Sequence, residues 1–428
     1  MSVSLRSRPV AHPRRTVRAG WLADAFVFVV LLLSTGGLLP LLHLERGVDF
    51  DHLEGDPTMQ IVWLAVYGAT LVLLATRLRA VAQLLRGERW LLLLSVLAAV
   101  SVFWSVAPDV TFRRTVAIFG TTAFGVYLAA RYSVHDLLRL AAWVLGCAAV
   151  LSVAFVVFLP AYGIDDDGAW RGIFAHKNSL GRAMALAVLT LLFRMRQHGS
   201  ANRLITIGLL VLSGVVLAGS RSVAGFLTAV AVATTLPLWP IFRLRSALAI
   251  SAGLFVMIGL AGAAVYISTT PDLPELAVAA LGRDATLTGR TGLWSLAADA
   301  ITDRVWLGHG YAAFWLGWEG ESAKIWAALP WRPPHAHNGF LDLGLELGVI
   351  GIVLFVTGFV WATWRATLVI RRTKTVYGLW PIAYLVFILV VNIAESTILV
   401  QNSIFWVLYV VTCMWLIRAR SDASRMAA

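Results

Sequence analysis

His335-Ala336-His337-Asn338-Gly339 closes a long polar segment at the point where an apolar run begins. Downstream stand Asp342 and Glu346, which with Asn338 fall at i, i+4 and i+8 and so share one helical face. An ionisable residue beside hydrocarbon is costly, and by default it faces a cavity or takes part in chemistry. His337 is the sharper candidate for that chemistry, because His335 follows Pro333 and Pro334 and is placed to order their turn. Asp342 and Glu346 read as partners that orient His337 or hold Arg221. Three basic features accompany this block. They are Arg221 in Gly219-Ser220-Arg221-Ser222, Arg290 in Thr288-Gly289-Arg290-Thr291-Gly292-Leu293-Trp294, and Arg171, His176, Lys177 and Asn178 in the Trp170–Asn178 segment. Arginine offers a planar fork that matches phosphate oxygens bidentately. Arginines converging at one membrane surface therefore point to a phosphate or pyrophosphate headgroup as ligand. The blander readings are snorkelling of Arg and Lys to lipid phosphate, and capping of a helix by a lone His.

The elements that must position these residues follow from composition. Of 428 residues, 59% are hydrophobic and 14% charged, and the mean hydropathy is +0.79. Long Leu/Val/Ala-rich runs recur along the chain, as in an all-α polytopic membrane protein and unlike the short alternating segments of a membrane barrel. The net charge of +12 does not indicate nucleic-acid binding, because the basic residues sit in short clusters between apolar runs, as orientation signals do. Arg6, Arg8, Arg14, Arg15 and Arg18 precede the first run, and Arg77, Arg79, Arg86 and Arg89 follow the second. Glu45, Asp49, Asp51, Glu54 and Asp56 face a single Arg46 in the loop between those runs. This asymmetry predicts cytoplasmic termini.

At about 20 residues per crossing, about twelve spans are expected. They begin near Trp21, Met59, Trp90, Arg114, Leu137, Ser179, Leu204, Ser222, Ala247, Asn338, Leu379 and Gln401. The organisation is then a basic tail (1–20), spans one to nine (21–267), a large external loop (268–336), spans ten to twelve (337–417) and a tail (418–428). The run from Trp21 is too long for a signal-peptide core and reads as a retained helix. Within the large loop, Gly292–Trp306 reads as an amphipathic helix lying along the membrane surface, with Asp299, Asp303 and Arg304 on its polar face.

Cys147 and Cys413 fall inside spans and read as packing residues. A zinc set built on His335 and His337 with Asp342 or Glu346 lacks an independently spaced third ligand, so neither a metal nor another cofactor is expected. Gly-rich phosphate loops, nucleophile elbows and His-Glu-x-x-His are all absent from the sequence.

The ordered motifs resemble the O-antigen ligase and Wzy-type polysaccharide polymerase superfamily. Four carry the resemblance: Arg171-Gly-x-Phe-x-His-Lys-Asn178, Ser220-Arg221-Ser222, Gly289-Arg290-x-x-Leu-Trp294, and His337-Asn338 followed by Gly348-x-x-Gly351. Leu307-Gly308-His309-Gly310-Tyr311 with Phe314 resembles a further family segment. Each is weak alone and the ordered set is strong, covering about residues 90 to 410. The resemblance implies a GT-C-like membrane glycosyltransferase of the bacterial inner membrane, working without a metal and with inversion on the periplasmic face. Its implied donor is an oligosaccharide on undecaprenyl pyrophosphate, and its implied acceptor a sugar hydroxyl. It further implies that Arg221, Arg290 and His337 are essential. Membrane lipids are expected partners, with a flippase and chain-length regulator proteins beside them; nucleic acid is not.

The chemistry of the residues agrees with that expectation. Breaking a sugar–pyrophosphate bond develops negative charge, which fixed cations stabilise; Arg221 and Arg290 are the candidates, assisted by Lys177 or Arg171. Imidazole, with a reference pKa of about 6.5, suits general-base work, a role assigned here to His337. His335, Asn338 and Asn178 are placed with substrate binding. The Arg171–Asn178 segment resembles the exopolysaccharide polymerase branch of the family, which implies a polymerase of lipid-linked repeat units; the alternative is a ligase that delivers finished glycan to a lipid or protein. A transporter of polysaccharide precursors is the reading from another class, against which stands the clustering of unusual charges at one surface.

Overall fold

A computed structural model describes residues 17–37, 57–196, 202–242, 288–373 and 376–427; the elements among these residues are helices joined by loops, with no strand. The expected span from Ala247, the acidic first loop, Arg243 and Arg245, and residues 268–287 of the large loop lie outside the described residues. Every other expected span coincides with a helix. These are α1 (Val17–Ser34), α2 (Pro57–Ala75), α4 (Arg89–Val100), α5 (Pro108–Arg131), α6 (Val134–Phe158), α7 (Lys177–Met195), α8 (Arg203–Gly219), α9 (Val223–Thr235), α12 (Gly339–Arg372), α13 (Trp380–Ala394) and α14 (Ile404–Ala427). The amphipathic α3 (Leu78–Gly87) connects α2 to α4.

Among the described residues, four segments are long and apolar enough to cross a membrane: Pro57–Ala75, Val134–Phe158, Gly339–Arg372 and Val376–Ala394. Several shorter apolar helices accompany them, among them Arg203–Gly219 and Val223–Thr235. Burial orders these elements. The most apolar window of Val376–Ala394 is 83% buried against 28% for Pro57–Ala75, so α13 is the central helix and α2 lies at the periphery. A helix apolar on all sides belongs in such a centre. Around it α7 packs on α6, α8, α9 and α13, while α5 packs on α14 and α2. Cys147 and Cys413 are free thiols.

Helix starts follow local chemistry. Pro108 opens α5, where its missing N–H costs nothing. The Ser133 hydroxyl caps α6 by accepting from Asp136 N. The Asn338 side chain accepts from Phe340 N and Leu341 N at 3.0 and 3.2 Å and so starts α12.

The amphipathic helix of the large loop, α10, spans Thr288–Asp303, earlier at both ends than its expected bounds. Beyond its end the chain turns through Gly308 at φ +66. Its apolar face does not stay free. Leu293 and Ala297 join Phe314, Ile325, Ala336 and Leu345 in a second small core that packs α10 and the short α11 (Ala323–Ala328) against α12.

α12 is broken at Gly348, where φ is +62 and ψ is −165. The break is filled by segment 305–310. Val349 N and Ile350 N donate to Val305 O and Trp306 O at 2.8 and 3.3 Å, while His309 N and Gly310 N donate to Leu345 O and Glu346 O at 2.8 and 2.9 Å. Backbone groups released by the break are thereby satisfied by another backbone, a requirement wherever water is excluded. A Cβ on Gly348 would stand 2.4 Å from the Trp306 carbonyl carbon, and one on Gly308 2.5 Å from that of Glu346. The two glycine motifs of the sequence are thus each other's contact. Gly348→Ala is expected to cost at least about 2 kcal/mol from backbone strain alone. It should appear as a lower thermal midpoint in detergent; an unshifted midpoint would show that the break is not under constraint.

Candidate active site

The sequence motifs separate in space into two neighbouring groups. The first centres on Glu395, which follows the last residue of α13 and whose side chain is 3% exposed. Arg182, one turn into α7, pairs with its Oε2 at 3.3 Å, and Arg290, in the first turn of α10, pairs with its Oε1 at 3.2 Å. Arg290 also donates to Ala394 O at 2.7 Å, and Arg182 to Ser179 Oγ at 3.1 Å. His337 Nδ1 lies 3.5 Å from Glu395 Oε1, at the outer edge of hydrogen bonding, and has no closer partner among the described residues. The His335 ring sits 4.0 Å from that of His337, and Trp331 covers the latter at 5.7 Å.

Electrostatics in this group run both ways. Burial pushes the Glu395 carboxyl up, but the contact with His337 and the charges of His337, Arg182 and Arg290 outweigh it and hold the group well below the usual carboxylate range. Burial, together with the neighbouring His337, holds His335 well below an ordinary imidazole. His335 is therefore neutral, and its Nδ1 accepts from His337 N at 3.0 Å.

The backbone around the histidines is held from both sides. His337 adopts φ +49, a left-handed conformation that costs a non-glycine residue about 1–3 kcal/mol. The Trp294 indole donates to Ala336 O at 2.9 Å, and Ala336 N donates to Asp342 Oδ1 at 2.9 Å. Arg290 and Trp294 are four residues apart on α10, so one helical face delivers the guanidinium to Glu395 and the indole to the histidine loop. Asp342 also receives Trp315 Nε1 at 2.7 Å and the hydroxyl of Ser396, the residue after Glu395. One buried carboxylate thus ties the histidine loop, the Glu395 turn and segment 311–316 together.

Asn392 completes the frame: its Oδ1 accepts from Thr397 N and Ile398 N at 2.8 and 3.2 Å, folding the turn that presents Glu395. A Cβ on Gly339 would stand 2.1 Å from that oxygen, which is why glycine follows His337-Asn338. Asp342→Ala would strand buried donors at about 1–3 kcal/mol each. The expected result is a large fall in thermal midpoint, most of it restored in Asp342→Asn; equal losses in the two variants would count against this bonding scheme.

The second group surrounds Asp165 and Asp167, in the loop between α6 and α7. Lys177 pairs with Asp167, and Arg221, at φ +51, donates to Asp167 O at 3.1 Å. Arg171 lies 3.5 Å from Asp165 and donates to Tyr162 O and Ala161 O at 2.8 and 3.1 Å. Its fork is therefore spent on bracing the loop. His176 Nδ1 accepts from Asn178 N at 3.2 Å and caps α7. This loop docks on the Arg221 turn through Trp170 N and Gly219 O at 2.9 Å.

Among the residues singled out from sequence, Arg290, His335 and His337 meet in one place, while Arg171, Lys177, Asn178 and Arg221 stand in the adjoining group. Asn338 is occupied by its cap. Asp342 lies behind the histidine loop and does not hold Arg221, and Glu346 accepts from the Ala312 backbone. Arg182 and Glu395 were not singled out. Each is a charge within or at the edge of an apolar run, the same signal that marked the histidines, but their partnership across the chain is visible only in three dimensions.

Ligand atoms of His335, His337 and Glu395 lie within 4.8 Å of one another, close enough to consider a metal. Both Glu395 oxygens are already paired with guanidiniums, and a divalent cation would have to enter beside two fixed positive charges. The group is better described as an ion-paired carboxylate facing an imidazole.

Residues 206–356, from α8 to the start of α12 beyond its break, match the O-antigen ligase family model. The chain is also 29% identical over 311 residues to the exopolysaccharide production protein ExoQ of Rhizobium meliloti (strain 1021), covering 69% of each chain. By these two matches the chain is similar to the O-antigen ligase and Wzy-type polysaccharide polymerase family, and its arginine, histidine and glycine motifs interlock in space.

Proposed function

We propose that this protein polymerises undecaprenyl-pyrophosphate-linked oligosaccharide repeat units into a surface polysaccharide, on the periplasmic face of the inner membrane and within a GT-C-like architecture of about twelve spans. The family supports the coarser statement, a glycosyltransferase-like membrane enzyme acting on lipid-linked glycans. The observation that carries the finer reading is the meeting of Arg182, Arg290 and His337 around one buried carboxylate. Similarity to an exopolysaccharide production protein supports polymerisation.

In the proposed step an acceptor sugar hydroxyl attacks the anomeric carbon of the donor glycan. The new C–O bond forms as the sugar–phosphate bond breaks, and its electron pair leaves on undecaprenyl pyrophosphate. Arg290 and Arg182, with Arg221 and Lys177 beside them, stabilise the charge that develops on the departing phosphate. His337 Nδ1 faces Glu395, which leaves Nε2 to take the hydroxyl proton, while Glu395 orients the ring and stabilises the imidazolium.

The test uses purified protein with a synthetic undecaprenyl-pyrophosphate oligosaccharide, with and without chelator. Chelator-resistant release of undecaprenyl pyrophosphate with a ladder of lengthening glycans is the expected result. The match to a ligase model favours one second reading, transfer of the glycan to a lipid or protein acceptor. Release that awaits such an acceptor and gives no ladder would establish it. A protein that moves the substrate across vesicles without releasing undecaprenyl pyrophosphate would be a transporter.

A further inference from the structure

The guanidiniums that would bind a diphosphate are already engaged by protein groups. Arg290 spends Nη1 on Ala394 O and Nη2 on Glu395 Oε1, at 2.7 and 3.2 Å. Arg182 spends Nη1 on Glu395 Oε2 and Nη2 on Ser179 Oγ, at 3.3 and 3.1 Å, and its guanidinium lies 5.7 Å from the centre of the Phe405 ring. One carboxylate therefore occupies the anion position between two arginines, one oxygen to each. A diphosphate offers paired acceptor oxygens to the same guanidinium forks with more charge, and it competes with Glu395 for both of them.

Resting on the glycosyltransferase reading above, we propose that Glu395 is an exchangeable internal counter-ion: the donor's diphosphate displaces it from Arg182 and Arg290, and the released carboxylate turns wholly to His337.

The geometry makes the second half of the exchange follow from the first. Glu395 Oε1 is shared between Arg290 at 3.2 Å and His337 Nδ1 at 3.5 Å. Other ionisable groups of the vicinity are engaged elsewhere: His335 Nδ1 with His337 N, His176 Nδ1 with Asn178 N, and Asp342 with Ala336 N behind the loop. Once the arginines have turned to phosphate, His337 Nδ1–H is the donor left to Glu395. A shorter Nδ1–H···O contact raises the basicity of Nε2 in the same way that an acid partner orients and strengthens the histidine of a catalytic triad. The base would then gain strength only when a donor is seated, which disfavours proton abstraction in an empty site. The remaining ties of the Glu395 turn, through Asn392 and the Ser396–Asp342 bond, involve neighbouring residues and not the carboxylate itself.

Competition and partnership predict opposite signs for binding and turnover. In Glu395→Gln the rival anion is gone but the shape is kept. Inorganic pyrophosphate, titrated into the detergent-purified full chain, should bind at least tenfold more tightly than in wild type, and farnesyl pyrophosphate likewise. In the release assay donor KM should fall while kcat falls at least tenfold, because His337 has lost its acid partner. Unchanged or weaker pyrophosphate binding in Glu395→Gln would overturn the exchange and make Glu395 a fixed strut for the arginines.

Tightening toward inorganic pyrophosphate alone, with none toward the prenyl form, would assign the site to a free diphosphate and overturn donor-triggered exchange. Should Glu395→Gln not fold, Glu395→Asp serves instead. Its shorter reach predicts tighter pyrophosphate binding than wild type, whereas a strut predicts weaker. Failure of wild type itself to bind either diphosphate or to release product would remove the glycosyltransferase reading; wild-type activity with no tightening in the variants removes only the exchange.

Discussion

Replacing His337 with alanine is expected to lower the release of undecaprenyl pyrophosphate by about 10²- to 10⁴-fold, the usual worth of a positioned general base. The loss should appear in kcat, with donor binding little changed, since the phosphate contacts belong to the arginines. The backbone at 337 is held through Ala336, by Trp294 and Asp342, and through the His337 N to His335 Nδ1 bond, none of which uses the His337 side chain. Folded protein should therefore be recovered near the wild-type level. His335→Ala removes the acceptor for His337 N and should act mainly by loosening the loop, with a smaller loss of rate and a lower thermal midpoint. A normal glycan ladder from His337→Ala would end the general-base assignment.

Arg290→Ala is expected to cost about 10²- to 10³-fold in kcat, as removal of one fixed donor to a developing anion commonly does. It should also destabilise the protein, because truncating one partner of a buried ion pair costs about 3–5 kcal/mol when the other charge stays behind. Here Arg182 remains on Glu395 and moderates that figure. Arg290→Lys separates the two effects. A lysine keeps the charge near Glu395 but cannot reach Ala394 O and Glu395 with one planar fork, so it should restore most of the thermal midpoint and little of the rate. A lysine variant with wild-type turnover would show that point charge alone, without the fork, serves the site. Both variants are checked by release kinetics beside thermal unfolding in the same detergent.

The relation between sequence and structure can be traced residue by residue. An apolar composition with short basic clusters identifies a helical membrane protein, because helices long enough to satisfy their own backbone are the form that continuous apolar runs take in lipid. The order of the Arg, His and Gly motifs carries the resemblance to the O-antigen ligase family, which the matches over residues 206–356 and to ExoQ support. Asn338 signals the start of α12 through the capping preference of its side chain, a strictly local effect. The amphipathic pattern after Arg290 likewise announces α10, though not the partner that covers its apolar face.

What tertiary structure alone decided is which charges meet. Arg182 and Glu395 are 213 positions apart, and nothing local to either indicates the other; they touch because α7 packs on α13. Arg221 and Arg290 look equivalent in sequence, yet one lies over the Asp167 carbonyl and the other on Glu395. Asp342 shares a helix face with Asn338 and Glu346, but its role comes from donors on three separate segments converging on its carboxylate. The glycines at 308 and 348 read as turn formers until segment 305–310 is seen filling the break in α12. Local propensity and hydrophobic period act over a few residues, so they set element type. Pairing of buried charges and close backbone contacts depends on how elements pack, and only the folded chain specifies it.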